Sequence, residues 1–254
     1  MKPLKHTLLV SIIFSSLAQF PAAAEVSPQE RMPFYGQPVA AMQDTYTKNF
    51  ELKDFDRLKI GSIFKIHVRP GQAFAVNVSG DREYVDEVLA EVKGGELEIT
   101  FKEGKTRLRL KNAVTVEVTL PYLRAVNFSG TTNSTIHPGF TTSNFVAYIS
   151  GTANSEITME SQEMYLDVSG AANLKINGKS DKLKVNTDGT SGLDAFNLAV
   201  AEATVDVSGT SGAKINASGS IKANASGAAS IKYKGAAKVA SMNTTRLSTV
   251  KKVD

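Results

Sequence analysis

The sequence predicts an all-β fold, a parallel β-helix. Three observations carry this expectation. A Ser-Gly pair recurs at nearly constant spacing, the residues between recurrences alternate with the two-residue period of a strand, and residues at matching places in successive units match in character. The recurring Ser stands at Ser129, Ser150, Ser169, Ser208 and Ser226, with Asp188 in the remaining slot. A Gly follows each one, and the intervals are 21, 19, 19, 20 and 18 residues. A unit of this length that cannot bury its own apolar face is stabilised by stacking on its neighbours, which is the physics of a solenoid.

The elements are justified in chain order. MKPLKH followed by TLLVSIIFSSLAQF is a basic segment and an apolar run too short to span a bilayer. Ala22 and Ala24 offer a small-residue cleavage site, so residues 1–24 read as a signal peptide. The chain carries a formal +4, and loss of Lys2 and Lys5 with the signal leaves +2, too little for a nucleic-acid or polybasic membrane partner. No later apolar run is long enough to cross a membrane as a helix, and no Cys is present for disulfides, thiolate metal sites or an N-terminal lipid anchor. The expected location is the periplasm, the outer surface or the medium.

Residues 25–50 contain scattered Pro and no sustained period, and read as a linker or loosely ordered arm. From residue 51 a β-helix domain is expected, running to 245. SIFKIHV and FAVNVSG alternate apolar and polar residues around a Pro70-Gly71 turn. DREYVDEVLAEV places Tyr84, Val85, Val88, Leu89 and Val92 at helical spacing, which predicts one short amphipathic helix. Gly94-Gly95 introduces further alternating runs, and KNAVTVEVTLPYL continues them. This N-terminal strand-rich segment is expected to cover one end of the repeated coils, which run from about 126 to 240. The polar tail, residues 246–254, is expected at the other end.

Within the coils, four columns should point inward. They are Phe128, Ile149, Val168, Thr187, Val207, Ala225; Val126, Ala147, Leu166, Val185, Val205, Ala223; Phe145, Met164, Leu183, Ala203, Ile221; and Ile136, Ile157, Ile176, Ala195, Ile215, Tyr233. One outward column reads Thr135, Glu156, Lys175, Asp194, Lys214, Lys232, alternating in sign until the last step. Stacked strands place same-column residues about 4.8 Å apart. Opposite charges at that distance contribute roughly 0.2–1 kcal/mol and like charges cost a similar amount. A second outward column reads Asn127, Tyr148, Asp167, Asn186, Asp206, Asn224. Each column follows only if successive units stack in register and in parallel.

Taken together, FDRLKIGSIFKIHV, a short helix before KGGELEITF, then VTVEVTLPYL and repeated V-x-x-SG-[TA]-[AGS] coils resemble the putative auto-transporter adhesin head GIN domain family over roughly residues 55–235. The resemblance implies a right-handed, pectin-lyase-like β-helix, an envelope or surface location and an adhesive role. It brings no catalytic residues. No translocator barrel is expected, since no set of eight or more lipid-facing strands follows the solenoid.

The residues offer little chemistry. His67 and His137 lie far apart in sequence, no G-x-S-x-G elbow is present, and calcium-binding repeat or loop patterns are absent. No catalytic residue, metal or cofactor is therefore expected. Asp188 reads as a turn residue beside Gly189. A polysaccharide-active enzyme would need a carboxylate cluster, for which Asp167 and Asp206, two coils apart in one column, are the nearest candidates. The expected function is a non-enzymatic envelope or surface module. It would bind a glycan or envelope polymer on the ladder Asn127, Tyr148, Asp167, Asn186, Asp206, Asn224. A polysaccharide-active enzyme and a self-associating structural envelope protein are the alternatives.

Overall fold

In a computed structural model that describes residues 45–102, 114–245 and 247–254, the chain forms fourteen strands and one helical turn. Residues 1–24, read as a signal peptide, and residues 25–44 of the arm lie outside the described residues. The last part of that arm is β1 (Tyr46–Phe50), which pairs antiparallel with β3 (Ala75–Gly80). The stretch read as a linker therefore contains a strand, because Tyr46 and Phe50 alternate inward and pack on the core.

The first turn is β2 (Arg57–Pro70), a long strand with two neighbours on one side and one on the other. On the N-terminal side it pairs in parallel with β5 (Glu96–Phe101) and β6 (Val114–Leu120). On the other side it pairs in parallel with β7 (Ala125–Ile149). β4 (Val88–Lys93), β3 and β1 extend this start antiparallel. The result covers the first turn with Val76, Val78, Val116 and Val118, all at most 1% exposed.

The amphipathic helix expected over residues 81–92 is one turn only, α1 (Arg82–Val85). Val88–Lys93 is strand β4, antiparallel to β5. The cause is the turn. Gly94 and Gly95 both take positive φ, 56° and 79°, which is the backbone of a two-residue hairpin and folds 88–93 back along 96–101. Leu89, assigned to the buried face of a helix by spacing, is 46% exposed on the strand.

Beyond β7 the stack is parallel and nearly regular: β8 (Asn154–Val168), β9 (Asn173–Thr187), β10 (Gly192–Val207) and β11 (Gly212–Ala225). β12 (Ser230–Lys234) and β13 (Lys238–Thr244) lie on β11, and β14 (Thr249–Lys252) lies on β12. The segment read as a polar tail thus supplies strand β14. Each full turn has two runs of strand, joined by the Ser-Gly corner and by a tighter bend. At that bend Ser161 and Ser180 hydroxyls donate to the carbonyls of Glu163 and Lys182.

Corner backbone groups repeat turn by turn. The amides of Ser169, Asp188, Ser208 and Ser226 donate to the carbonyls of Ile149, Val168, Thr187 and Val207 at 2.8–3.0 Å. Gly151 follows the same geometry with φ 83°, and a Cβ there would sit 2.4 Å from the carbonyl oxygen of Gly130 below. Backbone stacks directly on backbone, so a side chain has nowhere to go. At the first turn Ser62 occupies this column opposite Gly130 and still takes φ 122°.

The four inward columns are buried as expected, and all their members are at most 6% exposed. A further inward column was not read from the sequence: Thr132, Ala153, Ala172, Ser191, Ser211, Ala229 and Ser248 are buried immediately after the corner. Its serines are bonded to backbone: Ser191 donates to the carbonyls of Asp188 and Val168, Ser211 to that of Gly189 and Ser248 to those of Thr245 and Ala225, while the Thr132 hydroxyl has no partner among the described residues. The core thins along the axis. The buried Phe side chains, among them Phe64, Phe128, Phe140 and Phe145, lie in the first half, while Ala213, Ala217, Ala223, Ala225 and Ala229 join Ile215, Ile221 and Ile231 in the later turns. Burial of a Phe or Ile contributes about 1.5–3 kcal/mol and an Ala much less, so the later turns depend more on their hydrogen-bonded neighbours.

The account predicts opposite outcomes for two Gly→Ala substitutions measured by urea unfolding. Gly151→Ala meets backbone and takes a strained φ, and costs about 1–3 kcal/mol. At Gly212 the nearest atom to a new Cβ is 3.8 Å away, and Gly212→Ala stays within about 0.5 kcal/mol or stabilises.

Candidate functional site

The second outward column lies in register on the strand run before each corner. Tyr148 pairs with Asp167, Asp167 with Asn186, Asn186 with Asp206 and Asp206 with Asn224. Asn127 stands earlier in the column, opposite Lys59 of β2. The column also has a member that the sequence reading stopped short of: Asn243 pairs with Asn224. It was missed because Thr245 replaces the corner Ser and no Gly follows. The missing signal was the period itself, since Thr245 follows Ser226 by 19 residues.

Side chains link along this column. Asn224 Nδ2 donates to Asp206 Oδ1 at 2.6 Å, and Asn243 Nδ2 donates to Asn224 Oδ1 at 2.8 Å. Asn186 Nδ2 donates to the Tyr165 hydroxyl at 2.8 Å, and that hydroxyl donates to Asp167 Oδ2 at 3.2 Å. Tyr165 lies one step along the strand from Asp167 on the same outward face. The Glu163-Tyr165-Asp167 alternation in EMYLDV marks it in the sequence. Its ring meets Tyr148 edge-on with centroids 5.9 Å apart, and Lys184 Nζ lies 5.6 Å from its centroid. Burial and the charge of Asp167 hold the Tyr165 phenol above its ordinary range, so it stays protonated and donates.

Asp167, Asn186, Asp206, Asn224 and Asn243, with the corner residues Asp188 and Ser208, line a groove of about 500 Å³. Asn127 and Tyr148 extend the column beyond it. Asp188 is more than a turn former. Ser208 Oγ donates to its Oδ1 at 2.8 Å, and with the Gly189 amide this holds the carboxyl below its usual range. It therefore remains an anion at the rim of the groove.

On the strand run after each corner, the charge column is also in register: Glu156 opposite Lys175, Lys175 opposite Asp194, Asp194 opposite Lys214, and Lys214 opposite Lys232. Lys175 and Glu156 pair at 2.7 Å, and Lys214 and Asp194 at 2.8 Å. The Lys175 hydrogen bond lowers the Glu156 carboxyl. Partial burial of Asp194 is the largest influence and opposes ionisation, but the bonds from Lys214 and the Phe196 amide, with the charges of Lys214 and Lys175, together outweigh it and the net shift is down. Among the described residues no group of three or more His, Cys, Asp or Glu is placed to hold a metal ion.

His67 and His137, distant in sequence, come together on adjacent turns with ring centroids 5.9 Å apart. Burial depresses the His67 pKa, aided by Lys65, Arg69 and His137, while Glu117 acts in the opposite direction. His67 is therefore held neutral.

Comparison with known proteins places this geometry. The family model for the putative auto-transporter adhesin, head GIN domain, matches residues 54–237. A solved putative adhesin from Bacteroides fragilis is similar, at 23% identity over 83% of this chain and 98% of that chain, with a TM-score of 0.79. A putative adhesin from Parabacteroides merdae is 18% identical over 84% of this chain and 98% of that chain, with a TM-score of 0.66. A putative lipid binding protein from Parabacteroides distasonis is 17% identical over the same shares, with a TM-score of 0.64. At these identities the likeness shows the fold. No curated protein matches.

The His67 shift gives a signed pH prediction. A His whose folded pKa is depressed favours the fold while neutral; below about pH 6.5 the unfolded chain binds more protons and stability falls until the folded pKa is passed. The urea midpoint should decline as pH drops below about 6.5, above the range in which Glu156, Asp188 and Asp194 titrate. His67→Gln should flatten that part of the profile.

Proposed function

The chain belongs to the putative auto-transporter adhesin head GIN domain family, and from that premise we propose that it is a non-enzymatic adhesive module. In this reading a glycan or envelope polymer lies along the ladder of Tyr148, Asp167, Asn186, Asp206, Asn224 and Asn243. Export through residues 1–24 to the periplasm, outer surface or medium belongs to the same proposal.

The observation that carries it is the pairing of two tyrosines with the amide and carboxylate groove. Sugar recognition combines an apolar ring face with directional polar groups. Tyr148 alone would be a thin platform, but Tyr148 and Tyr165 together offer two rings beside Asp167, at one end of the groove, and Tyr148 is 45% exposed. The Asn and Asp that follow repeat at the rung spacing, so a polymer could engage several turns at once. Many weak contacts then act together.

The same geometry supports binding over cleavage. A hydrolytic pair needs two carboxylates free to face one bond. Asp167 accepts from Tyr165, Asp206 accepts from Asn224, and Asn186 stands between them.

One observation favours the self-association reading. Val239 and Met242 sit in inward columns of the last turn, opposite Ile221 and Ala223, yet are 44% and 42% exposed. Against it, Lys252 occupies the inward column opposite Tyr233, and an inward-pointing charge blunts a free end.

Glycan-array binding by the purified protein tests the leading reading. Tyr165→Ala and Tyr148→Ala should each weaken the recognised glycan roughly three- to tenfold, the worth of a lost ring contact. The wild-type protein should release no new sugar ends from that glycan. Unchanged affinity in both variants removes the ladder from the function.

A further inference from the structure

From Val207 to Val253 the chain carries seven Lys, one Arg and no acidic residue; every Asp and Glu but Asp254 lies at or before Asp206. Register turns this bias into a surface. Lys214 pairs opposite Lys232, and Lys232 opposite Lys251, so three lysines occupy one outward column on consecutive turns about 4.8 Å apart. Upstream the same column alternates in sign and forms ion pairs. Lys214 is still held by Asp194. Among the described residues no carboxylate pairs with Lys232 or Lys251. Like charges directly opposite one another destabilise the stack, so this column is poorly arranged for folding and well arranged for an external anion.

The neighbouring column opens beside it. Asn154 and Asn173 are hydrogen-bonded at 3.2 Å, then Gly192 and Gly212 remove the side chains, and Ser230 and Thr249 follow. The surface forms a groove of about 600 Å³ walled by Lys175, Asp194, Lys214 and Lys232. Asn173 leans over Gly192, with its Oδ1 2.8 Å from where a Cβ would be, but at Gly212 the nearest atom is 3.8 Å away. The open floor therefore lies directly before the turns on which Lys232 and Lys251 stand without an acidic partner.

We propose that this part of the solenoid binds a linear acidic polysaccharide laid along the stacking direction. Its carboxylates meet Lys232, Lys251 and Lys214, and its hydroxyls meet Asn173, Ser230 and Thr249. The floor at Gly212 is concave, which admits a polymer strand and not a bilayer. Single-stranded nucleic acid would need ring faces to stack on; the nearby Phe196 is half-buried and lies under Lys214 and Lys234, at 5.8 and 5.1 Å. Polar hydroxyl and amide groups beside point charges at regular spacing suit a sugar chain that carries one anion per unit. The site lies on the other strand run from the tyrosine ladder, and does not depend on it.

Calorimetry on the purified protein tests this with three size-matched probes: a polyuronate, its neutral methyl ester and inorganic polyphosphate. The polyuronate should bind, weaken as salt is raised, and lose affinity by about tenfold or more in the Lys232→Glu/Lys251→Glu double variant. The neutral ester should not bind. Gly212→Asn continues the Asn column without a clash and fills the floor; it should weaken polyuronate at least about threefold and leave polyphosphate unchanged. Absence of polyuronate binding overturns the proposal. So does equal affinity in the lysine variant, or a Gly212→Asn variant that binds both polymers as the wild type does, since the attraction is then charge alone. Folding of each variant is checked by its urea midpoint. If the charge reversal unfolds the chain, Lys232→Ala/Lys251→Ala with Gly212→Asn keeps the test decisive.

Discussion

The structure depends on one constraint: at each Ser-Gly corner the backbone of one turn rests directly on the backbone of the turn below. A Cβ at Gly170 would lie 2.8 Å from the Gly151 carbonyl oxygen, and one at Gly189 would lie 2.7 Å from that of Gly170. Such close stacking permits no slip. A shift of one residue would put side chains into the corner and reverse the faces of every strand. Register, once set at the corners, sorts the side chains into columns. The inward columns become core, and the outward columns become ladders whose chemistry is read along the stacking direction.

The ladders differ because the two strand runs of each turn carry different residues in the same frame. One run presents amides, carboxylates and two tyrosines linked by hydrogen bonds. The other presents alternating charges that give way to Lys232 and Lys251, which pair with no carboxylate among the described residues. A solenoid is suited to this division, since a residue substituted on one outward column leaves the core and the other columns nearly untouched. The thinning of the core toward Ala in the later turns has the same origin. Narrow corners need only short inward side chains, and the N-terminal strands supply the larger apolar mass.

Much of this was legible in the residues. The inward columns and both outward columns rest on a spacing that stacking physics makes meaningful, and the structure places their members opposite one another. What was not legible has particular causes. Val85, Val88, Leu89 and Val92 fit a helical period as well as a strand, and only the paired positive φ of Gly94 and Gly95 decides for the hairpin. Asn243 and β14 were missed because Thr245 stands where the corner Ser is expected and no Gly follows it, although the interval persists. Tyr165 was visible in the alternation but stood outside both outward columns. The small net charge, +4 over the full sequence, averaged away a basic segment that the fold gathers on its last turns. His67 and His137 could be brought together only by pairing β2 with β7.

The most direct test of the central claim uses a chain that has no Cys of its own. Asn186→Cys with Asp206→Cys places two thiols on residues that lie opposite each other on consecutive turns. Their Cα separation at the rung spacing, about 4.8 Å, is within disulfide range. The account predicts that this pair closes under mild oxidation of the folded protein. The control pair Asn186→Cys with Thr204→Cys is offset by two residues along the strand and stays reduced. A disulfide in the offset pair, or none in the aligned pair while both variants stay folded, would contradict the stacking register from which every other conclusion follows.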